Sequence, residues 1–179
     1  MNSHIKGQFI TLRPATFEDR KPIYEWLTNS DSTPFVMGPP DFLDHPIPTW
    51  EEFIDDYKDY FFDGSQPTLG RCFVIQVDNN AIGQINHDKI HPEDHSTEID
   101  IWLSDGKHTN KGYGTDALST LCDYLHQKFG CKKFIIAPSR RNSRAVKSYQ
   151  KAGFQETTSI PPDFSPDYDD TVVMMKRID

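Results

Sequence analysis

The stretch Thr109-Asn110-Lys111-Gly112-Tyr113-Gly114-Thr115 decides how the rest of this sequence is interpreted. It joins an apolar stretch that ends at Leu103 to an amphipathic stretch over 114–129, so it connects a predicted strand to a predicted helix. Its two glycines let the backbone turn several N–H groups toward one point, and the following helix adds unpaired N–H groups and a positive dipole end. The stretch therefore predicts an anion-binding site.

This glycine-containing stretch differs from two common phosphate-binding motifs. A P-loop needs Lys and Ser or Thr after its last glycine, where this chain has Thr115-Asp116. The dinucleotide-binding pattern needs a third glycine within a strand–helix–strand unit, which is also missing. The segment alone therefore indicates an anion site without naming the anion.

On both sides of this stretch, the hydrophobic pattern predicts an α+β fold with a mixed, mostly antiparallel central sheet flanked by helices, in a single domain over residues 1–179. The predicted strands are 8–13, 71–77, 81–86, 97–103, 133–137, 154–159 and 171–175. The predicted helices follow caps at Thr16 and Thr49 and also cover 114–129 and 143–152. Residues 29–48, rich in Pro, Gly and Asp, are predicted to form a long loop.

The helix that follows Thr49 carries an apolar face and a strongly acidic one. The apolar positions recur at helical spacing and are Trp50, Phe53, Ile54, Tyr57 and Phe61. The acidic positions are Glu51, Glu52, Asp55, Asp56 and Asp59. An acidic helix face is usually solvated, and we interpret this one so.

Charge is unevenly distributed along the chain. Residues 105–154 carry ten Lys and Arg against three Asp, a net +7, so the remainder of the −8 chain carries −15. This polarity suits a protein that binds a polyanion with one part and attracts a cation with another. The acidic total argues against nucleic acid as a partner, and no apolar run approaches membrane-spanning length. Three cysteines without metal-like spacing indicate reduced, buried thiols in a cytoplasmic protein.

The order of motifs from Glu98 to Phe154 resembles the GNAT superfamily of N-acetyltransferases. The resemblance rests on Gly112-x-Gly114 opening a helix, then a short strand, then Asn142-Ser143-Arg144-Ala145 and Tyr149-Gln150-Lys151-Ala152-Gly153-Phe154. Thr109 stands where the family usually has Gln or Arg, which removes a side chain but keeps the backbone loop.

The resemblance implies acetyl-CoA as the cosubstrate and assigns residues to it. The backbone N–H groups of Asn110, Lys111, Gly112, Tyr113, Gly114 and Thr115 would bind the pyrophosphate. The backbone of Ile101, Trp102 and Leu103 would pair with the pantetheine arm, with Asn142 and Ala145 nearby. Lys111, Arg140, Arg141 or Arg144 would meet the ribose phosphate.

Two residues are candidates for the chemistry. The resemblance places Tyr149 where the family often has the acid that protonates the departing thiolate; the alternative is an aromatic packed on the sheet. Asp100 lies inside the otherwise apolar strand 98–103, where a carboxylate is costly without a partner or a role. Glu98 lies on the same face of that strand and would reinforce a cationic site. The alternative for Asp100 is a solvent-facing position on an edge strand.

Ile99-Asp100, together with Pro138-Ser139-x-x-Asn142-x-Arg144-Ala145, is similar to aminoglycoside 6′-N-acetyltransferases, in which the equivalent aspartate meets the reacting amine. The tryptophan-glycine loop of those enzymes has only a loose counterpart in Phe35-Val36-Met37-Gly38. The strand and loop also resemble ribosomal-protein N-terminal acetyltransferases. We therefore expect a cationic, aminoglycoside-like amine as substrate, with a protein N-terminus, a polyamine or siderophore, and a non-catalytic acyl-CoA-binding module as alternatives. The protein is expected to be a monomer or a homodimer.

Three histidines could suggest a metal site, because His91 and His95 are four residues apart and His87 is close. They fall in a proline-containing stretch rather than on a helix, so we predict no metal.

Overall fold

The computed structural model describes residues 3–179, which form one eight-stranded sheet with five α-helices. The strands are β1 (Ile5–Lys6), β2 (Thr11–Pro14), β3 (Arg71–Val77), β4 (Asn80–His87), β5 (Ser96–Leu103), β6 (Lys133–Ile136), β7 (Gln155–Glu156) and β8 (Met174–Arg177). The helices are α1 (Phe17–Thr28), α2 (Trp50–Asp56), α3 (Tyr60–Asp63), α4 (Tyr113–Phe129) and α5 (Ser143–Lys151).

The sheet has the order β1-β2-β3-β4-β5-β6-β8-β7. Its neighbouring strands run antiparallel except β5 and β6, which are parallel. The prediction of a mixed, mostly antiparallel sheet flanked by helices is confirmed. The parallel pair joins through α4, as a crossover between parallel strands requires.

The strands β5 and β6 separate along their length, and this opening positions the site. Pairing between them runs from Ser96↔Lys133 to Glu98↔Ile135. On its other side β5 stays paired with β4 as far as Leu103↔Gly83. The backbone of β5 beyond Glu98 therefore presents an edge toward the interior of the protein, where another extended chain can add to the sheet.

Two apolar cores cover the two faces of the sheet. On one face α4 buries Leu118, Leu121 and Leu125 completely, against side chains that include Ile85 and Ile99. On the other face the buried residues are Ala15, Ile23, Phe53, Phe61, Phe62, Cys72 and Val74. The three cysteines are free and buried, as expected.

The predicted first strand over 8–13 is wrong in its extent, because the chain forms two short strands with a turn between them. The Asp116 carboxylate on α4 accepts hydrogen bonds from the backbone N–H groups of Gln8, Phe9 and Ile10 at 2.7–3.0 Å. Those groups are thereby withdrawn from sheet pairing. This long-range contact has no signal in the local sequence.

The apolar face that begins at Trp50 belongs to two helices and not to one. The chain leaves helical geometry at Tyr57, with φ −92° and ψ 76°, and α3 begins three residues later. Arg20 donates to the Tyr57 carbonyl at 2.6 Å, which satisfies a carbonyl at the end of α2. The last two strands are also displaced, since β7 covers 155–156 and β8 begins at Met174.

Among residues 3–179, no helix combines the length and the apolar character needed to cross a membrane.

Candidate active site

The glycine-containing loop forms the N-terminal end of α4. Asn110 and Gly112 adopt positive φ angles of 59° and 81°, and Gly112 is the residue that caps the helix. Within residues 3–179, no acceptor is found for the backbone N–H groups of 112–115, the first turn of α4. These donors and the helix dipole point at one place, as predicted for an anion site.

This helix end opens into a cavity of about 410 Å³ that we call the cofactor cavity. Its walls include nearly all the residues assigned to acetyl-CoA from the sequence: Ile101, Trp102, Leu103, Asn110, Gly112, Tyr113, Gly114, Thr115, Asn142 and Ala145. Lys111 is not part of the wall. A Cβ built at Gly114 would meet nothing nearer than Ile101 Cδ1 at 4.0 Å, so the loop leaves room for a ligand. A pyrophosphate at the helix end and an extended arm along β5 both fit this arrangement.

Of the four basic residues proposed for the ribose phosphate, Arg144 lines the cofactor cavity and the other three do not. Arg140 pairs with Glu156 at 3.1 Å, and Arg141 pairs with Asp44 and Asp170, so neither turns toward the cavity. Besides Arg144, the wall contains Lys147 and Lys151. The sequence indicates a positively charged region here. The structure shows which of its basic residues form ion pairs and which line the cavity.

A second cavity, of about 540 Å³, lies next to the first, and we call it the acceptor cavity. Both cavities are lined by Val36, Ile101, Trp102, Asn142 and Tyr149, so they meet at the end of β5. The long loop 29–48 contributes to the acceptor cavity, as do α2 and the segment before β8. A donor in one cavity and an acceptor in the other would meet at the shared residues.

Asp100 lines the acceptor cavity from β5, which is an interior strand of the sheet. Because the unpaired edge of β5 beyond Glu98 faces the interior, the alternative of a solvent-facing position on an outer edge strand is wrong. Its pKa is raised well above the ordinary value, first by burial and then by the charges of Glu98, Asp88 and Asp167. Burial, Asp88 and Asp167 also raise the pKa of Glu98, to about 7. Burial and neighbouring charges of the same sign both disfavour the ionised form of a carboxyl group.

Three further carboxyl groups belong to the same site and were missed by the sequence interpretation. Burial, Asp167 and Asp56 raise the pKa of Asp88 to about 6. Asp56 has its own pKa raised by burial, Asp55 and Asp167. We call Asp56, Asp88, Glu98, Asp100 and Asp167 the acidic cluster. Asp56 belongs to the helix face that we interpreted as solvated; its residues are exposed, and Glu52, Asp55 and Asp56 also line the acceptor cavity.

Tyr149 lies where α5 meets both cavities. Burial and the charge of Asp100 raise its pKa, so the phenol holds its proton at neutral pH. A protonated hydroxyl at the junction of the cavities has the position and the proton that a general acid needs.

His87 is the last residue of β4 and is buried, whereas His91 and His95 occupy a turn before β5. His91 Nδ1 lies 3.3 Å from Glu93 Oε1, and the His91 and His95 backbones form a tight turn. Within residues 3–179, no three His, Cys, Asp or Glu side chains are grouped as a metal would require.

Comparisons with known proteins agree with this geometry. A model described as an acetyltransferase (GNAT) domain matches residues 10–155. The chain belongs to the GNAT acetyltransferase family, the class of N-acetyltransferases that uses acetyl-CoA as cosubstrate.

Individual relatives are more distant. A spermine/spermidine N(1)-acetyltransferase of Bacillus subtilis (strain 168) is 26% identical over 80 residues, which cover 45% of this chain and 49% of that protein. The chain thus spans about half the length of this curated relative.

Two solved structures show the same fold. The aminoglycoside acetyltransferase AAC(6′)-Ib, in complex with paromomycin and acetyl-CoA, matches with a TM-score of 0.74 at 22% identity, covering 95% of this chain and 94% of that one. The spermidine N-acetyltransferase of Vibrio cholerae, in complex with CoA and spermine, matches with a TM-score of 0.69 at 20% identity, covering 94% and 95%.

Proposed function

We propose that residues 1–179 act as one catalytic domain that transfers the acetyl group of acetyl-CoA directly to a primary amine of a cationic small molecule. The observation that carries this proposal is the acidic lining of the acceptor cavity, directly beside the cofactor cavity. Asp56, Asp100 and Asp167 of the acidic cluster line that cavity, whereas Asp88 and Glu98 do not line it and act on Asp100 through their charge. A cavity with this charge attracts polycations and disfavours neutral or acidic acceptors.

The acidic cluster explains why the substrate should carry more than one positive charge. Asp100 lines the acceptor cavity directly before Ile101, which lines both cavities, so the reacting amine would bind there. Asp56 and Asp167 line the same acceptor cavity and offer partners for further ammonium groups. Burial raises the pKa of Glu98 and Asp88, and repulsion from neighbouring carboxylates raises it further. A bound polycation would relieve that repulsion.

The chain's own residues divide the chemistry between them. Bound acetyl-CoA supplies an acyl thioester. Asp100 binds the substrate ammonium and takes its proton, because a carboxyl of raised pKa is a competent base near neutral pH. A backbone N–H of β5 near Ile101 or Trp102 donates to the acetyl carbonyl oxygen. Tyr149 donates its phenol proton to the departing sulfur.

The relatives support the cationic substrate class. AAC(6′)-Ib has been solved with kanamycin, and the Vibrio cholerae enzyme with spermine. Aminoglycosides and polyamines share primary ammonium groups spaced along a flexible or cyclic frame. We place the substrate of this protein in that shared class, with the aminoglycoside-like member as the first expectation.

The test is release of CoA thiol from acetyl-CoA with kanamycin, spermidine and a short peptide with a free N-terminus. Turnover on kanamycin or spermidine, with little on the peptide, is expected. Turnover on the peptide alone would overturn the cationic small-molecule substrate in favour of N-terminal acetylation. Acetyl-CoA binding without turnover on a wider amine panel would favour the non-catalytic module.

A further inference from the structure

Arg141 is the residue that joins the two segments of the outer wall of the acceptor cavity. It precedes α5, outside the cavity itself. The first segment, 36–46, supplies Val36, Met37, His45 and Pro46 to the cavity, and the second, 167–170, supplies Asp167 and Tyr168. We call these two segments the acceptor wall. They are more than a hundred residues apart in sequence, so their relative position depends on contacts between them.

The guanidinium of Arg141 satisfies acceptors on both segments at once. It donates to the Asp41 carbonyl and, through Nη2, to Asp44 Oδ2 at 2.7 Å. It also donates to Asp170, from Nη2 at 3.0 Å and from Nε at 3.1 Å. The planar group lies over the Phe42 ring, 4.4 Å from its centre. Only an arginine has a planar fork of donors suited to so many acceptors.

The contacts of Arg141 are reinforced by direct contacts between the two segments. The backbone N–H of Asp169 donates to the same Asp44 oxygen at 2.9 Å, and Tyr168 Oη donates to the Val36 carbonyl at 3.0 Å. Asp44 is only 14% exposed, and the Arg141 pairing and the Asp169 amide lower its pKa to about 2. Loss of the arginine would leave two carboxylates facing each other at this junction.

We propose that Arg141 is a positioning residue for acceptor specificity. It fixes the acceptor wall so that Asp167, next to Tyr168, faces Asp100 across the cavity. Its neighbour Arg140 provides a contrast, because it makes only an exposed pair with Glu156, in which the two side chains are 63% and 46% exposed. The kinetic part of this inference rests on the proposed function; the structural part does not.

The kinetic test compares Arg141→Gln and Asp44→Asn with Arg140→Gln as the matched control. We expect the KM for the preferred polycation to rise about tenfold or more in the first two variants, because the wall carboxylate is misplaced. The KM for acetyl-CoA should stay within about twofold in all three variants. In the double variant the effects should be less than additive, since both changes break one contact. Arg141→Lys should recover only part of the affinity. Equal rises in both KM values, or an unchanged KM for the amine, would overturn the proposal.

A second measurement does not depend on turnover. Amide hydrogen exchange of the substrate-free protein should accelerate at Gly38 and Asp169, whose amides donate to the His45 carbonyl and to Asp44 within the acceptor wall, in Arg141→Gln and Asp44→Asn but not in Arg140→Gln. If no amine is acetylated by the wild type but exchange changes in this way, the proposed function fails and Arg141 keeps its positioning role. Unchanged exchange at both amides contradicts the role of Arg141 directly. Exchange that accelerates throughout the sheet would show a general loss of stability instead and would also contradict it; Asp44→Asn, which keeps the arginine, guards against a variant that fails to fold.

Discussion

The cofactor cavity and the acceptor cavity are built in opposite ways. The cofactor cavity uses backbone: the edge of β5 and the unpaired N–H groups at the start of α4, both from a short continuous part of the chain. The acceptor cavity uses side chains brought together from α2, β5, the loop 29–48 and the segment before β8. This difference separates the shared chemistry of the family from the individual choice of substrate, because backbone geometry changes little with sequence and side-chain charges change with every substitution.

The largest expected effect is on kcat, and it comes from a substitution of Asp100 in the acceptor cavity, where the amine would meet acetyl-CoA. Asp100→Asn removes the base and the charge nearest the reacting amine, so kcat on the preferred amine should fall about 10²-fold or more. The Kd for acetyl-CoA, measured by calorimetry, should stay within about twofold because we expect β5 to bind the donor through its backbone. Asp123→Asn, an exposed carboxylate on α4, is the matched control. An active Asp100→Asn variant would contradict the role proposed for Asp100.

A substitution in the cofactor cavity should instead weaken the binding of acetyl-CoA. Gly114→Val places a branched side chain where the pyrophosphate would bind, although the protein itself leaves room, with Ile101 Cδ1 4.0 Å from the new Cβ. The protein should therefore fold with its melting temperature nearly unchanged, while the Kd for acetyl-CoA rises about tenfold or more. Ala81→Val on the exposed end of β4 serves as control. Normal acetyl-CoA binding by Gly114→Val would contradict the assignment of this helix end.

The pH dependence of binding should differ between the amine and acetyl-CoA. Glu98, with a pKa of about 7, and Asp88, with a pKa of about 6, are largely protonated at pH 5.5 and ionised at pH 8. A polycation prefers the ionised cluster, so its Kd should be about tenfold lower at pH 8 than at pH 5.5. The Kd for acetyl-CoA should change much less over this range. Glu98→Gln should flatten the pH profile for the amine, and an equally steep profile in this variant would contradict the assignment.

The same carboxyl groups give a stability signature with a defined sign. Their pKa values are raised in the folded protein, so the folded state binds protons more tightly than the unfolded state. Their contribution to folding is full below their ordinary pKa values and is lost as the pH rises through 6 and 7. A bound polycation offsets this loss by pairing with the ionised carboxylates. Spermidine should therefore raise the melting temperature, measured by thermal unfolding, more at pH 8 than at pH 5.5. A larger shift at pH 5.5 would contradict this sign.

The smallest effect is expected at Tyr149. Tyr149→Phe removes only the hydroxyl, and water can still protonate a thiolate, so kcat should fall by about tenfold, less than in Asp100→Asn. Tyr60→Phe, outside both cavities, should leave kcat unchanged. A normal kcat in Tyr149→Phe would return Tyr149 to a packing role.

The two cavities also differ in how far they could be predicted from the sequence. The glycine-containing loop, the strand Ser96–Leu103 and α4 follow from local patterns, and nearly all the residues assigned to acetyl-CoA line one cavity. Their role in binding acetyl-CoA stays a prediction. Asp100 could be singled out because a carboxylate is conspicuous in an apolar strand. The family resemblance then supplied the ligand, which local patterns alone did not name.

The rest of the acceptor cavity could not be predicted in this way. Asp56 lies on a helix face whose acidic pattern is also that of a solvated surface, and Asp167 lies in an irregular segment without periodicity. Their convergence depends on contacts between distant segments, such as those of Arg141 with Asp44 and Asp170. The break of the predicted helix at Tyr57 could not be predicted for the same reason, because it depends on a distant residue. Arg20 donates to the Tyr57 carbonyl, which a continuing helix would have used.

The most direct test of the central claim compares two amines that differ only in their second charge. With saturating acetyl-CoA, kcat/KM is measured for 1,8-diaminooctane and for octylamine, which share one primary amine and the same chain length. We predict that kcat/KM is about tenfold or more higher for the diamine, because the acidic cluster binds its second ammonium group. An equal or better rate with octylamine would contradict the claim that the acidic acceptor cavity selects polycationic substrates.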